Sequence, residues 1–424
     1  MKRLTLLTFV LAFLVACNLN SKKSGTNSES GKETTGLKLP AGFSAVVFAD
    51  NLGNARHMDV NTNGDVYVSL SQVKNGGGIV CLRDEDKDGK ADVVKYYGKF
   101  EGTGIKIHNG YLYFGADTVV VRYKLTEGEL VPNDQPEVIA RGFEAQDQHA
   151  TKPFTFDKAG NMYVTVGAPS NACQEQDRTQ GSTGMDPCPI LELHGGIWRF
   201  KADVLNQDQA KDGYRYATGI RNAVALNWNN VENKLYAIQH GRDQLSQLYP
   251  KLYTDEQSAQ LPAEEFLLVE DGSNFGWPYC YYDGAQSKKV LAPEYGGDGL
   301  KVGRCSANTD PIMAFPAHTA PNDILFYTGK MFPEKYKNGA FIAFHGSWNR
   351  APLPQEGFYV VFVPFKGSIP SGKWEVFATG FAEVDVVNSP NDAKHRPCGL
   401  AQAPDGSLLV SDDVKGRIYR ILYQ

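Results

Sequence analysis

The chain predicts an all-β fold, a six-bladed β-propeller closed by strands from both chain ends. Three observations carry this. First, a turn-then-strand unit recurs six times: Asn61–Ser69, His108–Phe114, Asp157–Thr165, Val231–Ala237, Lys337–Ala343 and Ala403–Val410. Each copy sets Gly or Asn in the turn, where a positive φ costs little, and then runs into an apolar strand. Repeats of roughly 40–50 residues built from short strands are the signature of a propeller, one blade per copy. Second, each copy is followed by another strand pattern: Gly78–Arg83, Val119–Tyr123, Gly196–Phe200, Gln244–Tyr249, Phe358–Val363 and Gly416–Ile421. Third, an unassigned strand, Phe43–Ala49, opens the domain, and the last strand pattern sits at the C-terminus. Strands from both ends sharing one blade would close the ring and remove an exposed edge.

Composition fits a globular domain: 424 residues, 42% hydrophobic and 21% charged. The formal net charge of -5, with no basic stripe and no zinc-finger spacing, argues against nucleic acid as a partner.

The first segment reads as a targeting sequence. Lys2 and Arg3 precede an apolar run, Leu4–Ala16, too short for a stable membrane span. The run ends Leu14-Val15-Ala16-Cys17, similar to the bacterial lipoprotein box, in which the Cys receives lipid; a plain secretory signal is the alternative. The expected organisation is therefore a signal peptide over 1–17 ending at lipidated Cys17, a polar flexible tether over 18–37, and the propeller over 38–424. That places an exported bacterial lipoprotein on a membrane, facing the periplasm or the cell surface.

Export permits disulfides. Cys173 and Cys188 bracket one Gly/Asp/Thr-rich loop and Cys280 and Cys305 another, so each pair is expected to staple a long insertion. Cys81 and Cys398 fall in the first and last blades, which are ring neighbours. A third bridge and two buried free thiols both remain open. Both insertions fall where the repeat spacing exceeds a blade, and surplus length of this kind maps to loops that shape a binding face.

Asp84-Glu-Asp-Lys-Asp-Gly-Lys-Ala-Asp92 puts Asp84, Asp86 and Asp88 at alternate positions, then a Gly, then Asp92. This resembles the first half of an EF-hand calcium loop without its position-twelve Glu. A structural calcium site and a solvated acidic tip are the two readings.

A further set of segments is more specific in combination: Gln148-His149, Gly219-Ile-Arg-Asn222, His240-Gly-Arg-Asp-Gln-Leu245, Gly272–Pro278, Ala317-His-Thr-Ala-Pro321, His345-Gly-Ser-Trp-Asn-Arg350 and Arg396–Gly406. In this order, over about Leu39 to Tyr423, the chain resembles the soluble quinoprotein glucose/sorbosone dehydrogenase family, nearest its sorbosone dehydrogenase type. The resemblance implies pyrroloquinoline quinone (PQQ) and calcium as cofactors, a sugar substrate, and an external electron acceptor. It implies His149 as the base that takes the hydroxyl proton as hydride leaves the same carbon. Arg221 and Asn222 match the pair over the quinone oxygen, and Gly241 and Arg242 match the positions whose backbone carbonyls hold calcium. Arg396 matches a cofactor-carboxylate Arg, and Arg350 aligns loosely with a second cofactor-binding cation. The chain departs from the pattern at Gln148, where an acidic residue is usual, and at Cys398, where the glucose enzymes carry Arg. His318 and His345 lie near the channel with no assigned role. Trp277 and Trp348 read as packing or sugar-stacking residues.

Two alternatives share the architecture. A calcium-dependent sugar lactonase would hold its metal with side-chain carboxylates, of which the quoted segments have few. A non-catalytic surface propeller would bind carbohydrate or protein.

Overall fold

The computed structural model describes residues 35–132 and 135–424. The expected signal peptide, Cys17 and most of the tether lie outside the described residues.

Six sheets, antiparallel through their first four strands, make six blades, numbered by their inner strands. These are Ala55–Val60, Gly102–His108, Phe154–Phe156, Ala223–Asn229, Pro321–Phe326 and Pro397–Gln402. Neighbouring inner strands touch all the way round, blade 6 against blade 1 included, so the ring is closed. The second strands are Val66–Lys74, Tyr111–Ala116, Asn161–Val166, Lys234–Gln239, Gly339–Phe344 and Leu408–Asp412, the six repeated units of the sequence. Blade 6 takes its outermost strand, Phe43–Ala49, from the start of the domain; it pairs antiparallel with Ile418–Tyr423, Phe43 opposite Tyr423.

The core lies between blades. Between blades 5 and 6, Phe341, Phe362, Phe377, Leu400, Val410 and Tyr419 are all buried in one cluster. Burying each large apolar side chain is worth about 1.5–3 kcal/mol, so the faces of neighbouring blades hold the ring together. Phe341→Ala would cost about 3–5 kcal/mol by leaving a cavity there.

In each blade the inner strand starts, and the second strand ends, at the same end of the ring; we call this end the mouth. In five of the six blades the inner strand carries a register shift within its first residues, between Ala55 and Met58, Gly102 and Gly104, Ala223 and Ala225, Pro321 and Asp323, and Pro397 and Leu400. Bulges of this kind re-aim side chains and end pairing, here in a circle around the channel.

One expected strand is not there. Gln244–Tyr249 contains a short helix, Leu245–Leu248, and the third strand of blade 4 is Glu264–Val269. Gln244 adopts φ 65°, which stops an extended run, and the apolar Leu245 and Leu248 are three apart and buried on one helical face.

Both expected disulfides form, Cys173–Cys188 with Cα atoms 6.2 Å apart and Cys280–Cys305 at 5.8 Å. Closing loops of this length is worth about 3 kcal/mol each in the chain-entropy account. The insertions they staple meet at the mouth: Cys188 N donates to the Tyr279 hydroxyl at 2.8 Å, and Tyr295 donates to Ala172 O at 3.1 Å. Cys81 and Cys398 are both buried free thiols, which removes the third bridge. Cys81 packs in the cluster between blades 1 and 2, whereas the Cys398 sulfur accepts from Asn322 Nδ2 in blade 5. The two thiols thus face different neighbours. Protein lacking residues 1–17 and denatured without reductant should titrate two thiols with a disulfide reagent; four free thiols or none would contradict this pairing.

Candidate active site

The loops at the mouth carry most of the residues singled out in the sequence. His149 lies just before the inner strand of blade 3, at φ 54°. It is packed against Gly167, where an added Cβ would sit 2.6 Å from the His149 Cβ; no larger residue fits there without moving the imidazole. His149 Nδ1 lies 2.6 Å from Ala168 O. A carbonyl only accepts, so Nδ1 carries the proton and Nε2 presents a lone pair, for which no described residue is a donor. Burial and the neighbouring Arg221 charge push the imidazole down to about 3, so it is neutral at pH 7. The orienting group is thus a backbone carbonyl. Gln148, at the position where a carboxylate is usual, turns aside to give Nε2 to Asp177 at 2.9 Å and to receive Arg178 on Oε1.

Arg221 and Asn222 enter the inner strand of blade 4. Arg221 is 3% exposed and gives Nη2 to Asp243 Oδ2 at 2.6 Å and Nη1 to Gly241 O at 3.0 Å, while its Nε is buried without a partner. Asn222 Nδ2 lies 3.4 Å from His240 Nδ1, and His240 Nε2 donates to Pro321 O at 2.9 Å. Gly241 and Arg242 follow on the next strand exit. The Arg242 side chain leaves the channel and pairs at 2.5 Å with Glu294 of the second insertion, both buried; no described residue donates to its carbonyl.

Several contributors were absent from the sequence reading. Asp243 accepts from Arg221, from Arg178 at 3.0 Å and from Asn349 at 2.7 Å. Burial works against its charge, but Arg221, His318 and Arg178 outweigh it and hold the carboxyl well below the usual range. Buried Glu264 accepts from Gly241 N at 2.8 Å and Ala320 N at 3.2 Å; burial outweighs these donors and pushes it up to about 8. Across the ring, Asp413 bridges Arg56 and His345, each at 2.7 Å. Arg396 donates through Nε to His345 O and through Nη2 to Gly346 O. Arg396 Nη1 and Arg56 Nη2 make no hydrogen bond with described residues. The run of inner-strand starts at Arg56, Asn322 and Arg396 could have signalled this half of the ring, had the bulges been foreseen.

Arg350 departs from the expected cofactor role. Its guanidinium donates to Ala259 O, Ala317 O and Pro354 O and pairs with Glu356 at 2.8 Å, so its donors are spent inside the protein. His318 gives Nε2 to Ser258 O or Leu261 O, and His345 is bound to Asp413; both are satisfied, packed histidines. Trp277 is buried with Nε1 donating to Asn171 O, whereas Trp348, 57% exposed, stands between buried Ser347 and half-buried Asn349.

Asp84, Asp86 and Asp88 converge within 4.8 Å at the opposite end of the ring, the one such metal-capable cluster among the described residues. Asp92 is outside it, accepting instead from Glu85 N at 2.7 Å to shape the loop. Among the described residues no cluster of carboxylates at the mouth could hold a metal, and Asp243 and Asp413 there are each bonded to basic partners.

The closed six-bladed ring thus gathers a neutral His, a buried Arg and two carbonyls with uncommitted lone pairs around one channel mouth. The chain belongs to the TrAA12-like family, whose profile matches residues 37–424. It is 30% identical over 276 residues to a pyrroloquinoline quinone-dependent pyranose dehydrogenase of Coprinopsis cinerea, covering 57% of this chain and 36% of that protein. The curated relatives it matches are spanned over 36–48% of their own length. Among solved structures, the holo PQQ domain of the Coprinopsis cinerea pyranose dehydrogenase superposes with a TM-score of 0.71 at 20% identity, over 91% of this chain and 97% of that one. A calcium structure of the Trichoderma reesei AA12 enzyme gives 0.74 at 19% identity, over 92% and 97%. These likenesses establish the same propeller fold.

The histidines make stability depend on pH. His57, His108, His149, His194, His240, His318 and His345 are all held below their ordinary value, burial being the main cause. The unfolded chain takes up these protons near pH ~6.5 and the fold does not. Their contribution is complete above that pH and is lost as pH falls toward the folded values, about 3 for His149 and about 4 for His240. Glu264 acts oppositely, its contribution lost as pH rises toward about 8, but it is one group against several. The Tm should therefore fall from about pH 7 to about pH 5; a Tm that rises on acidification would show that the buried histidines are charged in the fold.

Proposed function

We propose that this protein is a PQQ- and calcium-dependent dehydrogenase that oxidises a sugar, an aldose or sorbosone-like aldehyde, and passes the electrons to an external acceptor. The observation that carries the reading is His149: a neutral imidazole with Nδ1 committed to Ala168 O and Nε2 open, next to the Arg221 guanidinium.

The residues fit the cofactors. PQQ is a planar tricarboxylate, and the mouth offers Arg221 with a buried, unpartnered Nε, Arg396 with Nη1 unbonded, and Arg56 with Nη2 unbonded. Calcium takes oxygen ligands; the Arg242 carbonyl is uncommitted and the Gly241 carbonyl has one lone pair beyond its bond to Arg221. When bound, PQQ supplies the electrophilic quinone that accepts a hydride. His149 Nε2 takes the substrate hydroxyl proton, and the Ala168 carbonyl stabilises the imidazolium that forms. Arg221, with Asn222 beside it, sets a fixed positive charge where negative charge develops. Its compensation by Asp243 keeps that charge affordable in a buried site. Arg396 and Arg56 orient the carboxylates, and the exposed Trp348 indole is placed to lie against a sugar face.

Titration of the purified protein with PQQ and calcium should give a saturable absorbance change and dye reduction with a pyranose panel. His149→Ala should retain cofactor binding and lose about 10²–10⁴-fold in kcat. Full activity in His149→Ala, or no PQQ binding by the wild type, would overturn the reading.

The Asp84–Asp92 loop is proposed to hold a second, structural calcium through Asp84, Asp86 and Asp88. The Asp84 Oδ1 is buried without a partner, as a ligand oxygen would be. Calcium should raise the Tm of wild type in the absence of PQQ, and Asp84→Asn/Asp86→Asn should abolish that rise; an equal rise in both proteins would refute the site.

A further inference from the structure

The first disulfide-stapled insertion does more than wall the mouth. Asn171, two residues before Cys173, is fully buried. Its side-chain Oδ1 accepts from Asp243 N at 2.9 Å and from Arg221 Nη2 at 3.1 Å, and its Nδ2 donates to Asp243 O at 3.0 Å. Two donors face the oxygen and one acceptor faces the nitrogen, so the amide has a single orientation. The main chain is used as well: Asn171 N donates to Asp177 Oδ1 at 2.9 Å, and its carbonyl accepts from Trp277 Nε1 at 2.9 Å.

The connections run on to the base. Asp177 also accepts from Ser170 Oγ at 2.6 Å and from Gln148 Nε2 at 2.9 Å, and Gln148 adjoins His149. Ala168 accepts the His149 Nδ1 proton on its carbonyl and gives its own N–H to Arg221 O at 2.8 Å. The four residues Ala168–Asn171 therefore touch His149 at one end and Arg221 with the 241–243 peptides at the other. Cys173 N, donating to Ser170 Oγ at 2.9 Å, ties this segment to the disulfide.

We infer that Asn171 is a positioning residue for the dehydrogenase reaction, its carboxamide setting the Arg221 guanidinium and the Asp243 peptide against His149. This rests on the function proposed above. A carboxamide is suited to the place because it presents an acceptor and a donor on one planar head. Asp would keep the acceptor, lose the donor and set a second carboxylate beside Asp243; Ala would lose all three bonds. Asn171 touches no reacting atom, so it acts through Arg221 and through the peptides next to the proposed calcium carbonyls.

The test compares wild type, Asn171→Ala, Asn171→Asp and the control Arg304→Ala, which cuts the exposed pair with Asp186 and the guanidinium's contact with the Tyr279 ring on the same pair of insertions, away from Arg221 and His149. Three quantities are read: Tm without cofactor, affinity for PQQ in calcium by absorbance, and kcat and KM separately with a pyranose. Asn171→Ala should lose roughly 10–100-fold in cofactor affinity and in kcat, the range for groups that orient metal ligands. KM for the sugar should move less than about threefold, and Arg304→Ala should match wild type. Wild-type affinity and kcat in Asn171→Ala, with only a lower Tm, would overturn the inference and leave the function standing. A wild type that binds no PQQ would overturn the function and the inference with it. Should Asn171→Ala not fold, Asn171→Asp decides: weakened cofactor binding supports the role and unchanged binding refutes it.

Discussion

The closed ring is the constraint on which the rest depends. Phe43–Ala49 must pair with Ile418–Tyr423, or blade 6 ends in an open edge and the inner strands lose their common axis. With the ring closed, all six inner strands begin at one end, and segments far apart in the chain meet there: Arg56 reaches Asp413, Asn171 reaches Asp243, and His57 reaches Asn322. Strand pairing and interblade apolar packing thus fix the mouth before any polar contact is made there. Bulges in five blades then aim side chains that a regular ladder would have hidden within the sheets.

What is assembled at the mouth is costly. Arg221 is buried, and a buried guanidinium is tolerable only with a counter-charge; the Asp243 carboxylate provides it and also accepts from Arg178 and Asn349, while Asn171 holds the Asp243 main chain. Removing Asp243 would strand the buried Arg221, at a cost of about 3–5 kcal/mol. On the other side of the ring, Asp413 does the same for Arg56 and accepts a hydrogen bond from His345. The two carboxylates divide the mouth into two basic halves, and neither is left free to hold a metal in the way a lactonase would need. The insertions serve the first half: their disulfides hold Asn171 and Glu294 where they can brace Arg221 and Arg242.

Much of this was legible in the chain because it is local. Alternation after a Gly or Asn turn determines a strand wherever it occurs, so six such units announced six blades, and Phe43–Ala49 announced the closing strand. Cysteines bracketing long insertions announced both bridges. His149, Arg221, Asn222, Gly241, Arg242 and Arg396 could be picked out because they sit in short, recognisable segments, and all lie at the mouth. Gln244–Tyr249 misled because an apolar pair three apart serves a helical turn as well as a strand, and a positive φ at Gln244 chose the helix.

Side-chain partnership was decided only by the tertiary structure. Arg350 and Arg396 look alike in sequence, yet one spends its donors on carbonyls of its own neighbourhood and the other keeps one toward the channel. Whether Cys81 and Cys398 join depended on which neighbours each faces. Gln148 stands where an acidic residue is usual, and it is Ala168 O, beside Gly167 with its absent side chain, that orients His149. Repeat, turn and strand are written in residue order because they depend on near neighbours. Charge compensation and orientation depend on distances across the ring, which exist only once the chain has closed it.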